Sequence, residues 1–168
     1  IPGQAFDAGA VAVIAPMVNT RAQAELLVRA AKYPPMGSRS WGGYTALQAS
    51  GLTPGEYLRE ANRMTMAFAM VETVEALANV EDIAATPGLD GLFVGPSDLS
   101  ITLSRGAGID KLGKDTIAAM EKLSVGAGCA IALACDWRVL GKGAYLYVPE
   151  VKIGLNLQWG ALPRLVSL

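Results

Sequence analysis

No histidine occurs among the 168 residues of this chain, which removes the commonest general base and metal ligand of enzymes. Cysteine is scarce: Cys129 and Cys135 have no histidine partner and a spacing that fits no zinc pattern, so they read as buried reduced thiols in a cytoplasmic protein. Charge is sparse and balanced, with 14 Lys plus Arg against 15 Asp plus Glu and a net charge of −1. No field draws such a chain to nucleic acid or to an anionic membrane, and neither is expected as a partner. The longest apolar stretches, residues 8–18 and 127–135, fall short of the roughly 18 residues that span a bilayer, so no membrane anchor is expected. Ile1 is not a methionine and no basic segment precedes an apolar core. Neither a signal peptide nor a natural start is visible, and the chain reads as beginning inside a longer protein.

Against these absences stand 52% hydrophobic residues and a mean hydropathy of +0.34, the bias of strands covered on both faces. Two runs carry most of the information: Ala67-Phe68-Ala69-Met70-Val71-Glu72-Thr73 and Gly91-Leu92-Phe93-Val94-Gly95-Pro96-Ser97-Asp98-Leu99-Ser100. Each is an apolar strand followed by one carboxylate. In a parallel α/β sheet the carboxyl ends of strands face the binding crevice, so Glu72 and Asp98 are placed to converge on one ligand. With no histidine available, a hard divalent cation held by oxygen is the natural ligand of the pair. The same residues also admit a plainer role, Glu72 as a favourable charge at a helix N-terminus and Asp98 as a helix cap.

The pattern along the chain predicts a strand over residues 10–16 and a helix over 20–32 behind a Thr20 cap. A loop over 33–43 follows, built on Pro34-Pro35, Gly37 and Gly42-Gly43, and Thr53 with Pro54 then starts a helix to about Asn62. Further strands are predicted over 65–72 and 91–95, and helices over 74–85 and 115–123. The alternation defines an α/β chain of parallel strands. A complete (β/α)8 barrel needs about 250 residues, so this chain holds at most part of one. A partial barrel leaves unpaired sheet edges, and a homo-oligomer is expected to cover them.

Four ordered motifs resemble the HpcH/HpaI aldolase family over residues 1–124: Asp7-Ala8-Gly9-Ala10 with Ile14-Ala15-Pro16-Met17-Val18, Tyr33-Pro34-Pro35-Met36-Gly37-Ser38-Arg39-Ser40, Met70-Val71-Glu72-Thr73, and Gly95-Pro96-Ser97-Asp98-Leu99-Ser100. The resemblance implies a (β/α)8 (TIM) barrel and a metal-dependent carbon–carbon lyase that releases pyruvate or a similar 2-oxo acid from a 4-hydroxy-2-oxo acid. It places the carboxylates for magnesium, manganese or cobalt on Glu72 and Asp98. It places the grip on the substrate carboxylate on the backbone near Gly95, Ser97 and Asp98, at a helix N-terminus. Asp7 matches an acidic residue that in the family reaches a site from a neighbouring subunit. The family's histidine base and substrate-gripping arginine would fall upstream of Ile1. Arg39 is the nearby arginine in the matched loops, with ordering of the Pro-Gly loop as its ordinary role.

After Ser124 the sequence resembles a second family. Gly126-Ala127-Gly128-Cys129-Ala130-Ile131-Ala132-Leu133-Ala134-Cys135-Asp136, Val148-Pro149-Glu150-Val151-Lys152-Ile153-Gly154-Leu155 and Gly160-Ala161-Leu162-Pro163-Arg164-Leu165-Val166 are similar to the enoyl-CoA hydratase/isomerase (crotonase) family. That resemblance implies an oxyanion-hole amide at Ala127, one acid–base carboxylate at Glu150 and acyl-CoA as ligand, with residues 125–168 as a crotonase-like segment. Three expectations follow: a metal-dependent aldolase, an acyl-CoA protein, or a catalytically inactive hybrid or fragment. The run 126–135 itself reads either as a buried barrel strand or as a glycine turn opening a helix.

Overall fold

The computed structural model describes residues 2–125, which fall in two compact units divided after Ile109. The first opens with α1 (Pro2–Asp7), β1 (Ala12–Ala15) and α2 (Arg21–Ala31), followed by α3 (Tyr44–Ser50) and α4 (Pro54–Met64). It continues through β2 (Met66–Val71), α5 (Val74–Ala78), α6 (Val80–Ala84), β3 (Gly91–Val94) and α7 (Pro96–Leu103). In the second unit a turn at Asp110–Gly113, closed by the Gly113 amide on the Asp110 carbonyl, leads into α8 (Lys114–Val125).

The three strands form a parallel sheet in the order β1-β2-β3, with Ala15 opposite Ala69 and Val71 opposite Val94. This is the parallel α/β architecture expected, in the three strands the sequence marked. Ala67, Ala69 and Val71 alternate along β2 and are fully buried. Against β2 packs α2, whose buried Ala24, Leu27, Val28 and Ala31 recur at helical spacing on one face. The opposite sheet face is apolar but open: Ile14, Met66 and Phe93 are all more than 40% exposed.

Helix starts follow the local chemistry. Thr20 and Thr53 each close a capping box, accepting from the amides of Gln23 and Glu56 while those side chains reach back to the cap amide. The helix expected over 74–85 is instead two, divided at Asn79, which ends α5 and begins α6 and whose Nδ2 donates to the Asn19 carbonyl at 2.9 Å. α1 and α3 were not predicted, and α7 was anticipated only as the helix N-terminus near Gly95, Ser97 and Asp98. Gly43 and Gly95, the N-caps of α3 and α7, have no side chain to announce a start.

At the amino end of the sheet a lysine is sealed inside. Lys32, 1% exposed, places Nζ 2.6 Å from the Thr65 carbonyl, 3.1 Å from that of Asn62 and 2.7 Å from Asp90 Oδ2. The ammonium's three donors thus have three acceptors, and the same Asp90 oxygen accepts from the Ala67 amide at 2.7 Å. One side chain therefore ties the end of α2 to the end of α4 and to the starts of β2 and β3. Lys32→Met keeps the apolar stem and strands the acceptors. It is expected to cost about 3 kcal/mol, read as a lower urea midpoint with an unchanged slope.

Candidate metal and substrate site at the carboxyl end of the sheet

Glu72 follows directly on β2 and is 2% exposed. Its Oε1 accepts a 2.7 Å hydrogen bond from the Met17 amide, just beyond β1, and its backbone carbonyl accepts from Thr102 Oγ1 in α7. Met17 has φ +57°, a left-handed backbone that costs a residue with a Cβ about 1 kcal/mol. The next loop residues are tied down too: Thr73 Oγ1 donates to Asn19 Oδ1 at 2.6 Å while accepting from the Ala76 amide at the start of α5.

Gly95 follows β3 beside this carboxylate. A Cβ there would lie 2.6 Å from Glu72 Oε2 and 3.0 Å from Met70 Sδ, so only glycine leaves the carboxylate its place. Pro96 at the first helical position then opens α7, which places half-buried Ser97 and exposed Asp98 in its first turn. Glu72 and Asp98 thus stand at the carboxyl ends of neighbouring parallel strands, one buried and one open to solvent.

No cation pairs with Glu72 among the described residues. Burying a carboxylate with one N–H donor and no opposite charge is costly, and the environment suits a cation supplied from outside. No group of three or more His, Cys, Asp or Glu side chains gathers among the described residues, so any ion here would complete its shell with water or substrate oxygens. That is the habit of small hard cations, which are commonly held by one or two carboxylates. The donor set fits a divalent ion of the magnesium or manganese kind.

Asp7 sits elsewhere. It ends α1, ahead of β1, and its Oδ1 is 2.6 Å from Nη2 of Arg39, whose own amide donates to the Lys32 carbonyl. Lys32 reaches the start of β2, so Asp7 and Arg39 belong to the amino end of the sheet while Glu72 lies at the carboxyl end. Within one chain Asp7 does not join the Glu72 carboxylate. Arg39 is buried between rings, its guanidinium carbon 4.5 Å from the Tyr33 ring centre and 5.3 Å from that of Phe6. Gly42 and Gly43 close over the pair, where Cβ atoms would stand 3.1 and 3.2 Å from the Asp7 carboxylate oxygens. The loop-ordering role expected of Arg39 is the one this packing gives it. Sequence reasoning had no signal for Met17, because its contribution is a backbone amide, nor for the burial of Lys32.

A parallel α/β unit with carboxylates at adjacent strand ends is the framework of barrel lyases, and the comparisons agree. The family HpcH/HpaI aldolase/citrate lyase matches residues 2–136, and the chain belongs to it. The chain is 41% identical over 115 residues to the hydroxypyruvate/pyruvate aldolase of Rhizorhabdus wittichii, covering 68% of this chain and 45% of that protein. To the 4-hydroxy-2-oxovalerate aldolase of Novosphingobium aromaticivorans it is 38% identical over 139 residues, covering 82% and 52%. Among solved structures it resembles an HpcH/HpaI aldolase from Desulfitobacterium hafniense, with 29% identity, a TM-score of 0.64 and coverage of 72% and 46%. A family protein from Burkholderia cenocepacia gives 36% identity, a TM-score of 0.63 and coverage of 73% and 49%. The chain thus spans about half the length of the relatives it matches.

The family match corrects one expectation. It runs past Ser124 to residue 136, so the glycine-rich segment holding Ala127 falls within the aldolase match, and a change to a crotonase-like family there has no support. That segment's apolar glycine pattern suits a barrel strand as well as a crotonase turn, which is why local sequence could not separate them. Ala127 and Glu150 lie outside the described residues. No described helix is long and apolar enough to cross a membrane.

The aromatic cluster at the amino end makes its own prediction. Burial raises the Tyr33 phenol above its ordinary 10.0; Arg39 pulls it down, and Asp7 and Tyr57 push it up. The folded phenol therefore keeps its proton to higher pH than the unfolded one. Its stabilisation is whole below about pH 10 and is lost as pH climbs through the folded value. The hydroxyl has no hydrogen-bond partner among the described residues, so Tyr33→Phe is expected to leave stability at neutral pH nearly unchanged while flattening its alkaline decline. Urea midpoints from neutral to about pH 11 measure both.

Proposed function

We propose that this chain carries the metal and 2-oxo acid half of a class II aldolase site, cleaving a 4-hydroxy-2-oxo acid to release pyruvate or a similar 2-oxo acid. The observation that carries the reading is Glu72: a buried carboxylate, without a cationic partner among the described residues, fixed at a strand's carboxyl end beside the turn that bears Asp98. The two aldolase relatives, named for 2-oxo acid substrates, support the same chemistry.

In this reading Glu72 and Asp98 hold a divalent ion, magnesium, manganese or cobalt. The ion's contribution is Lewis-acid stabilisation of enolate charge. The backbone amides of Ser97 and Asp98, in the first turn of α7, receive the substrate carboxylate, where the helix dipole favours an anion, whereas the amide of the N-cap Gly95 is already given to the Val71 carbonyl. Buried Glu72 keeps its orientation through Met17, and Asp98 is open to incoming substrate. Asp7, on the far end of the sheet, enters a site only if it serves another subunit, and the open face of Ile14, Met66 and Phe93 supports a homo-oligomer. The chain offers no histidine as base, so turnover depends on a proton acceptor of another kind or on one outside these residues.

Calorimetric titration of the chain with Mn²⁺ tests the site. Glu72→Gln and Asp98→Asn are each expected to weaken binding at least tenfold, as loss of a charged ligand should. Without metal, Glu72→Gln is expected to hold or raise thermal stability, because it relieves a buried unpaired charge. Wild-type and Glu72→Gln protein with equal Mn²⁺ affinity would sink the reading. Pyruvate release from a 4-hydroxy-2-oxo acid in Mn²⁺, abolished by Asp98→Asn, separates an active chain from an inert one.

A further inference from the structure

Resting on Glu72 as a cation ligand, we propose that the Met17 amide is the positioning group of the site. By occupying Oε1 of Glu72 it leaves Oε2 alone to meet the ion, and that single-oxygen offer selects small octahedral cations over calcium.

Four observations converge. The Met17 amide lies 2.7 Å from Oε1 across 55 residues of sequence, so the contact belongs to the tertiary fold. Met17 adopts φ +57°, which turns its amide toward β2 at a cost in backbone strain. Its side chain is 52% exposed, so packing of the thioether does not account for the strained turn. The loop is pinned again two residues on, where Asn19 accepts from Thr73 through Oδ1 and from Asn79 through its carbonyl. Oε2, by contrast, accepts no such bond among the described residues and lies against Gly95, whose missing Cβ would stand 2.6 Å from it.

Carboxylates bind calcium through one or both oxygens, and its shell of about six to eight ligands is often filled by bidentate ones. Magnesium-like ions need only about six ligands at shorter range and accept a single oxygen from each carboxylate. A carboxylate with one oxygen already engaged is biased to the second kind. Groups that orient a ligand from behind typically change metal affinity by about 10- to 100-fold when removed.

The test replaces Met17 in the full chain by its α-hydroxy acid, which turns the Pro16–Met17 amide into an ester and deletes only the N–H. Mn²⁺ affinity is expected to fall about tenfold or more, and the ratio of Ca²⁺ to Mn²⁺ affinity to rise. Met17→Gly and Met17→Asn, at ease in the left-handed region, should bind Mn²⁺ like the wild type, whereas Met17→Val, which resists it, should behave like the ester. In metal-free protein, Glu72→Ala should speed hydrogen exchange of the Met17 amide about tenfold or more and leave that of Ala69 unchanged. An ester with wild-type affinity and an unaltered ion ratio would overturn the inference alone, as would Met17→Gly binding as weakly as the ester or an unchanged Met17 exchange rate. A wild type that binds no Mn²⁺ would overturn the reading of the site and this inference with it.

Discussion

The sheet depends on a charge taken out of water. Lys32 is a sealed ammonium whose three hydrogen-bond acceptors come from the end of α4, the entry to β2 and the residue before β3. A buried lysine persists only when its donors are satisfied and an opposite charge stands near, and Asp90 supplies that charge while also holding the Ala67 amide. These bonds are directional, whereas the apolar contacts of Leu27 and Val28 on β2 are not. Hydrophobic burial brings α2 to the sheet, and the lysine sets where it stops.

The two ends of the sheet are built on different principles. At the amino end two buried cations each meet a carboxylate: Lys32 pairs with Asp90, and Arg39 with Asp7 beneath the rings of Phe6 and Tyr33. At the carboxyl end the reverse holds, with Glu72 buried and lacking a cationic partner among the described residues, and Asp98 exposed beside it in the first turn of α7. Buried charge is thus paired at the end that holds the fold together and, among the described residues, left without an opposite charge at the other.

Much of this was legible in the sequence because it resides in side chains and periodicity. The three strands, α2, α4 and α8 announced themselves through apolar alternation, the Thr20 and Thr53 caps and the Pro54 start, and Glu72 and Asp98 stood out as lone carboxylates after apolar runs. Their placement at adjacent strand ends agrees with that reading. The features missed were those whose signals are negative or backbone-borne: α3 begins at a glycine, as does α7, whose start came only with the family resemblance, and the α5–α6 break rests on one asparagine reaching to Asn19. The burial of Lys32 and Arg39 was hidden because single-sequence patterns treat such residues as surface. Beyond Ser124 local pattern was ambiguous, since one apolar glycine-rich run suits two folds, and the family match to residue 136 leaves the second resemblance without support there.

Because Gly95 is held empty by the proximity of Glu72 Oε2, the two positions are bound together in their evolutionary freedom. A chain that exchanged Glu72 for a smaller residue would lift the tightest restriction on Gly95 and leave the 3.0 Å approach of Met70 Sδ, and one that gained a side chain at Gly95 would displace the carboxylate. Among sequences related to this one, a side chain at the Gly95 position therefore marks a Glu72 carboxylate that has moved or been lost.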